Sequence, residues 1–366
     1  MKKKYSSKKI LFVYSLMIFV VAVISFAVTM YFSHSVKKAA KGDELKDVLT
    51  SGNVESDVPI SRYYVMITSE RELDFWQSVY VGAYEEGIKK GVCVEMMGDN
   101  LSEKYSETQM MEIAIASKVD GIIVYANESE EMRDLINRAS DEGIPVVTVY
   151  GDNANSKRCS FVGVGSYNLG REYGKQIVKI ARESELSKST ASTHMNDVLN
   201  VAVLVNSYSD NSNQNVVWSG IQNAVSTENN TGMQIKMNMV YVDNRNTFTT
   251  EESIRDIFRS DEAPDVIVCL NETDTNCVYQ SLVDYNKVGK SVILGYYDSE
   301  NILKGIARNA IFSTVSVDTK QMGAYCVDAI KEFEETGNTS QYMLADVALI
   351  DKYNVSYYLK DPEEEK

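Results

Sequence analysis

Residues able to do covalent chemistry are scarce in this chain, and their placement argues against catalysis. The two histidines, His34 and His194, fall just past a hydrophobic segment and in a Ser/Thr-rich loop. Neither stands at a strand end, which removes most routes to Ser-His or Cys-His nucleophilic chemistry and to a histidine-based zinc site. The five cysteines (Cys93, Cys159, Cys269, Cys277, Cys326) are scattered, odd in number and without a C-x-x-C pair. Buried inert thiols are expected, not a disulfide framework. GVGSYNLG at Gly163–Gly170 lacks the G-x-G-x-x-G spacing, and GREYGK at Gly170–Lys175 lacks the spacing and the Ser/Thr of a phosphate loop. The chemistry left is non-covalent recognition by tyrosines, of which there are 23, and by Asn and Asp side chains at the ends of apolar runs.

The element that positions such side chains is clearest between Asp120 and Asp152. Ile122–Tyr125 is a short apolar run without polar alternation, as in a strand covered on both faces. Met132, Leu135, Ile136 and Ala139 then recur at helical spacing. Asn127 or Ser129 can cap this helix, Glu130 and Glu131 suit its positive end, and Gly143 with Pro145 stops it. Pro145–Val149 is a second apolar run, so the stretch reads as one right-handed βαβ unit. Ligands of such sheets gather outside the carboxyl ends of the strands. That rule selects Tyr125–Glu128, including Asn127, and Tyr150–Asn153, including Tyr150 and Asp152.

The same alternation of apolar run and amphipathic helix extends from Tyr63 to about Ile350. It is interrupted by a Ser/Thr-rich stretch, Glu183–Asn200, read as a loop or insertion. The fold class expected is α/β, with two doubly wound parallel-sheet lobes. Ahead of them, Ile10–Phe32 carries no charge; as a helix it would be about 35 Å long against a hydrocarbon core of about 30 Å. The lysines before it favour a cytoplasmic tail over 1–9. Ser33-His34-Ser35 resembles a cleavage site, but the apolar run exceeds the roughly 7–15 residues of a signal peptide. An uncleaved anchor over 10–32, a polar tether over 33–60 with a short helix at Glu44–Leu49, and an acidic tail over 361–366 are expected. This places the folded part at the outer face of the cell membrane. The net charge is −15; the five lysines of the first 32 residues carry +5, so the remainder carries −20. An acidic domain argues against a nucleic-acid partner and is otherwise a solubility feature.

From Tyr63 to about Leu359 the chain resembles a type I periplasmic solute-binding protein of the ribose/galactose class. The ligand domain of LacI-type repressors has the same fold. The residues that carry the resemblance are DGIIVYANESEEM, GIPVVTVYGDN, FVGVGSYNLGREYGKQI, GYYDSENILKGI and FSTVSVDTKQMGAYCVDAI, in that order. The resemblance implies two lobes joined by three crossings, near Gly165–Tyr167, Ser316–Asp318 and Asp346–Ala348. Lobe one would take 61–165 plus 318–346, and lobe two 166–317 plus 347–360, with a ligand between them. It also implies site residues. Phe75 and Trp76 follow the first strand, where the family places stacking aromatics; packing in the helix core is the competing reading. Tyr150 and Asp152 follow the fourth strand. Asn271 and Asp298 stand where the family has a ligand Asn and Asp, and each also suits the cap of the next helix. Asn215, Asn206 and Phe248 are weaker candidates from the second lobe.

The chain departs from the sugar binders of this class at their arginines. Tyr150 and Gly151 stand where the family has Asp-Arg, and Val217 stands at a second Arg, with Asn215 close by. Loss of both guanidinium forks removes the strongest bidentate donors to a sugar. The expectation is a binding protein without cofactor or metal, not an enzyme, for a sugar or similar small polar ligand: either the ligand is not an ordinary pentose or hexose, or the pocket is rebuilt around tyrosine and asparagine. A pocket that no longer binds is the remaining alternative. Its partner would be an ABC permease or, in the alternative reading, a membrane histidine kinase.

Overall fold

The computed structural model describes residues 58–98, 105–190, 198–207, 212–259 and 263–359. The expected membrane helix over Ile10–Phe32, the short helix at Glu44–Leu49 and the acidic tail lie outside the described residues. Among those described, no helix is long and apolar enough to cross a membrane.

The chain begins with β1 (Arg62–Ile67), α1 (Asp74–Lys89), β2 (Val92–Met96), α2 (Glu107–Ala116), β3 (Gly121–Val124), α3 (Glu130–Asp141), β4 (Val146–Val149) and β5 (Ser160–Gly163). It continues with α4 (Ser166–Thr190), β6 (Val198–Asn206), α5 (Ser212–Glu228), β7 (Gln234–Val242), α6 (Thr247–Arg259), β8 (Val266–Val268), α7 (Glu272–Asp284), β9 (Val292–Tyr296), α8 (Glu300–Ala307) and β10 (Ser313–Val317). It ends with α9 (Thr319–Thr336), β11 (Tyr342–Leu344), β12 (Val347–Asp351) and a single turn, α10 (Val355–Tyr358). Two six-stranded sheets result, in the orders β2-β1-β3-β4-β5-β11 and β7-β6-β8-β9-β10-β12. Every pair is parallel except β10 with β12. The exception follows from the path of the chain. β11 runs with the other strands of the first sheet and is joined to β12 by two residues, so β12 leaves the sheet-to-sheet junction where the other strands of the second sheet arrive.

The βαβ unit takes its expected form. β3 and β4 are buried at every residue, as strands covered on both faces must be. Ser129 caps α3 by accepting from the Met132 N–H at 3.1 Å, while Asn127 Oδ1 accepts from the Ser129 N–H. Met132, Leu135, Ile136 and Ala139 form its buried stripe. Gly143, at φ +83°, turns the chain into β4.

The chain passes between the sheets three times, from β5 to α4, from β10 to α9 and from β11 to β12. The helix that follows each of the first two passages packs on the opening helix of its new lobe, α4 on α5 and α9 on α1. Both contacts are backbone to backbone. A Cβ at Gly82 would lie 2.0 Å from the Lys320 carbonyl oxygen and one at Gly323 1.9 Å from that of Val79. At Gly170 and Gly220 the corresponding distances are 2.1 Å to the Val217 oxygen and 2.3 Å to the Tyr167 oxygen. The glycines of GREYGK therefore form a helix-packing face.

One stretch departs from the sequence reading. Glu183–Thr190 is not a loop: α4 continues through it, and β6 starts at Val198. Arg182, Glu183, Glu185 and Leu186 are good helix formers, and Glu185 Oε1 holds the Gly232 N–H at 2.9 Å, which ties the extension to the connection between α5 and β7.

Candidate ligand cleft

The carboxyl ends of the strands of both sheets converge on one aromatic cluster. β1 leads to Phe75 and Trp76 in the first turn of α1, β3 to Tyr125 and β4 to Tyr150. From the other sheet, β9 ends on Tyr296 and is followed by Tyr297. Tyr150 sits in the middle. Its ring centroid lies 4.9 Å from Phe75, 6.0 Å from Trp76, 6.1 Å from Tyr125 and 6.1 Å from Tyr296. Phe75 also meets Tyr297 edge-on at 5.4 Å. These separations are those of attractive aromatic pairs. The hydrophobic core runs without a break from one sheet to the other through these rings.

Hydrogen bonds among the described residues span the same junction. The Tyr150 hydroxyl donates to the Leu270 carbonyl at 3.2 Å. The Tyr297 hydroxyl donates to the Asp74 carbonyl at 3.3 Å. The Phe75 N–H, at the amino end of α1, donates to Glu272 Oε2 at 3.4 Å. Behind Tyr296, the Tyr173 hydroxyl of α4 shares its proton between the Cys269 and Gly295 carbonyls, at 3.0 and 2.9 Å.

Tyr150 reaches this position through a strained turn. Its φ is +63°, and the Gly151 N–H donates back to the Val149 carbonyl at 2.7 Å, a three-residue γ-turn of positive φ. Tyr297 also has positive φ, +74°. Backbone of this kind is costly for a residue with a Cβ and persists where the surroundings enforce it. Gly151 is required next to it, because a Cβ there would stand 2.3 Å from the Ala126 carbonyl oxygen.

Carboxyl groups ring the cluster, of which Glu272 and Asp274 are buried, Asp298 half-buried and Glu70 exposed overall. Burial raises Glu272 to about 7, with the Asp74 and Asp298 carboxylates adding to the effect. Burial raises Asp274 to about 6, although Asn244 and Asn271 both donate to it, at 2.6 and 2.8 Å. Burial also raises Glu70, which accepts from Trp76 Nε1 at 3.3 Å, and Asp298, which accepts from the Ser316 hydroxyl at 2.8 Å. Beside the rings a groove of about 520 Å³ opens along the crossing segments, lined by Ser78, Tyr297, Asp298, Ser316, Asp318, Thr319 and Asp346 among others.

Residues 64–337 match the family model described as periplasmic binding protein domain. The chain belongs to the periplasmic binding protein domain family. Among solved structures, a glucose-galactose binding protein from Geobacillus stearothermophilus is 21% identical, with 80% of this chain and 98% of that chain covered and a TM-score of 0.68. A solute-binding protein of an ABC transporter from Burkholderia graminis, in complex with D-arabinose, is 19% identical over 83% and 99%, TM-score 0.67. A XylFII–LytSN complex contains a chain 23% identical over 81% and 99%, TM-score 0.65. At these identities the likeness establishes the fold. No curated protein sequence matches the chain.

The structure places the expected site residues of this binding-protein domain in different environments. Phe75, Trp76 and Tyr150 come together in the cluster, the first two fully packed and Tyr150 half-buried. Asn271 stands at the same junction, but its Oδ1 caps α7 by accepting from the Asp274 N–H at 2.7 Å and its Nδ2 is bound to Asp274. Asp298 lines the groove; the cap position of α8 is Ser299. Asp152 is committed elsewhere, to a two-pronged pair with the buried Arg158 guanidinium and to the Thr148 hydroxyl. Asn127 is exposed beside its turn, and Asn215 is exposed on α5. Asn206, half-buried at the end of β6, donates its N–H to Gln214 Oε1 at 3.1 Å, and Phe248 is exposed on α6. The positions of the missing arginines explain themselves sterically: Gly151 has no room for a side chain, and Val217 is buried with its carbonyl against Gly170.

The sequence reading missed Glu70, Tyr173, Glu272, Tyr296 and Tyr297. The tyrosine pair carried a signal, since GYYD holds one aromatic more than the family phrase it resembles. Glu272 carried none beyond being an acid in the first turn of a helix.

Proposed function

We propose that the protein is an extracytoplasmic solute-binding protein for a sugar or a similar small polar molecule, held to the membrane by Ile10–Phe32 and working with an ABC-type uptake system. One observation carries the binding reading: aromatic rings from both lobes and the buried carboxyl groups of the second lobe meet at the carboxyl ends of β1, β3, β4, β8 and β9. Apolar ring faces and hydroxyls of a sugar need that pairing of stacking surfaces with polar groups. The three crossings serve as the hinge about which lobe one, 61–165 plus 318–346, and lobe two, 166–317 plus 347–360, would part to admit it.

A second reading, a ligand-sensing subunit of a membrane histidine kinase, draws on a different observation. The junction is bridged by the protein's own groups, Tyr150 to Leu270, Tyr297 to Asp74 and Phe75 to Glu272, so lobe closure has an energy of its own that ligand occupancy can bias. Among the neighbours, XylFII stands in a complex with a second protein, LytSN, as a subunit that acts through a partner chain would.

A thermal-shift screen against sugars, sugar alcohols, nucleosides and amino acids tests the binding reading. A ligand at a hundred times its dissociation constant stabilises the fold by about 2.7 kcal/mol. Silence across the panel from the folded protein and from a folded Tyr150→Ala variant would remove the solute-binding assignment. Replacing Met1–Phe32 with an unrelated anchor separates the two partners: uptake survives it, whereas signalling through helix contacts is lost.

A further inference from the structure

We infer that Tyr150 is the specificity-determining residue of the cleft: its side chain occupies the place between the lobes where a sugar ring would stack, and a ligand enters only by displacing it. The inference rests on the solute-binding reading for the identity of the ligand, but the occlusion itself is a matter of geometry.

Four ring systems, Phe75, Trp76, Tyr125 and Tyr296, surround the Tyr150 ring at centroid distances of 4.9 to 6.1 Å. The tyrosine thus satisfies the stacking faces that a pyranose would use. It does so from lobe one while its hydroxyl donates to the Leu270 carbonyl of lobe two, so one side chain fills the gap and ties its two walls. An ordinary stacking wall would contact its own lobe and leave the opposite one to the ligand. The backbone is committed to this placement as well. The γ-turn at φ +63° aims the ring across the junction, and Gly151, hemmed in by the Ala126 carbonyl and the Tyr125 ring, leaves the turn no side chain to substitute for it. Nearby carboxylates are already committed: Asp274 to Asn244 and Asn271, Asp298 to Ser316. The ring is therefore the element that yields when the lobes part.

The consequence is a population argument. A ligand meets a site that is competent only in the fraction of molecules whose Tyr150 has left, and its apparent affinity falls by that fraction. Selectivity follows: a ligand must bring enough stacking area and hydrogen bonding to outcompete a tethered phenol.

The test compares the full chain in detergent with its Tyr150→Ala and Tyr150→Phe variants. Alanine has the same steric preference against positive φ as tyrosine, so the change isolates the ring. Hydrogen exchange is followed in peptides covering 74–82 and 268–276, and binding of D-glucose, D-galactose, D-xylose and L-arabinose is titrated. Loss of a packed aromatic ring should raise the opening of the junction by roughly a hundredfold in Tyr150→Ala. The affinity for at least one sugar should rise by up to the same factor. Tyr150→Phe, which keeps the ring and loses the bond to Leu270, should open by only about fivefold to tenfold. Unchanged protection across the junction in Tyr150→Ala overturns the proposal, and so does a wild-type protein that binds sugar as tightly as the variant. A Tyr150→Ala junction that opens while no sugar binds either protein upholds the occlusion and removes the sugar reading instead. If Tyr150→Ala does not fold, Tyr150→Phe decides: a local loss of protection supports the bridging role, and none refutes it.

Discussion

Glu272 makes the interlobe junction sensitive to pH in a direction opposite to that of a salt-bridged carboxylate. Its Oε2 accepts the Phe75 N–H at 3.4 Å across the junction, yet burial, with Asp74 and Asp298 nearby, raises its pKa from 4.5 to about 7. A raised acid holds its proton more tightly in the folded state. Its favourable contribution is therefore complete below pH 4.5 and is lost as the pH climbs through 7. The difference between 4.5 and about 7 corresponds to about 3 kcal/mol at pH 8, to the accuracy of an order-of-magnitude figure. Glu272→Gln keeps an oxygen for the Phe75 N–H and has no charge to bury. It should match the wild type at pH 4.5 and exceed it increasingly up to pH 8, by at most about 3 kcal/mol. Urea unfolding followed by circular dichroism from pH 4.5 to 8 measures this. Asp274, raised to about 6 from 3.8, and Glu70 leave a residual slope in both proteins, so the difference between them is the quantity to read. A difference that stays constant across the range would show that Glu272 carries no buried charge in the folded state and would refute the reasoning.

Further outcomes follow from other contacts. Asp152→Ala strips the partner from Arg158, whose side chain is only 6% exposed; the loss should be about 3–5 kcal/mol in urea unfolding, with sugar affinity unaltered if Asp152 is structural. Tyr173→Phe removes the proton shared by the Cys269 and Gly295 carbonyls and should cost about 1–2 kcal/mol at neutral pH by the same measurement. Gly323→Ala drives a Cβ to 1.9 Å from the Val79 oxygen, so α9 must lift from α1; destabilisation of about 3 kcal/mol or a failure to accumulate folded protein is expected. In thiol labelling of the native protein at pH 7, Cys269, Cys277 and Cys326 should stay unmodified until unfolding, because burial both shields these thiols and raises their pKa.

What the sequence disclosed and what it withheld divide along a physical line. Runs such as Ile122–Tyr125 and the stripe Met132, Leu135, Ile136, Ala139 announce a strand and a helix because burial on two faces or on one leaves a period in the chain. From those periods the two-sheet architecture and the carboxyl-end location of the aromatic rings were legible. The Ser/Thr content of Glu183–Asn200 hid the end of α4, because what sustains it, Glu185 against the Gly232 N–H, is a contact 47 residues distant. Asn271 was ambiguous for a deeper reason. A helix cap and a sugar ligand ask for the same amide at the same place, and only the position of Asp274, which takes both its donor and its acceptor, shows that the cap holds it here. Tyr150 was legible as a strand-end residue and illegible as an occupant of the cleft. The sign of φ at a non-glycine residue leaves no trace in local propensity, and it is that sign which decides whether the ring lies along its own lobe or crosses to the next. The one local clue was Gly151 in place of an arginine: a side chain at that position would collide with the Ala126 carbonyl, so the guanidinium fork of the sugar binders and the γ-turn that aims Tyr150 cannot coexist. The absent arginine and the inserted tyrosine are thus one structural change.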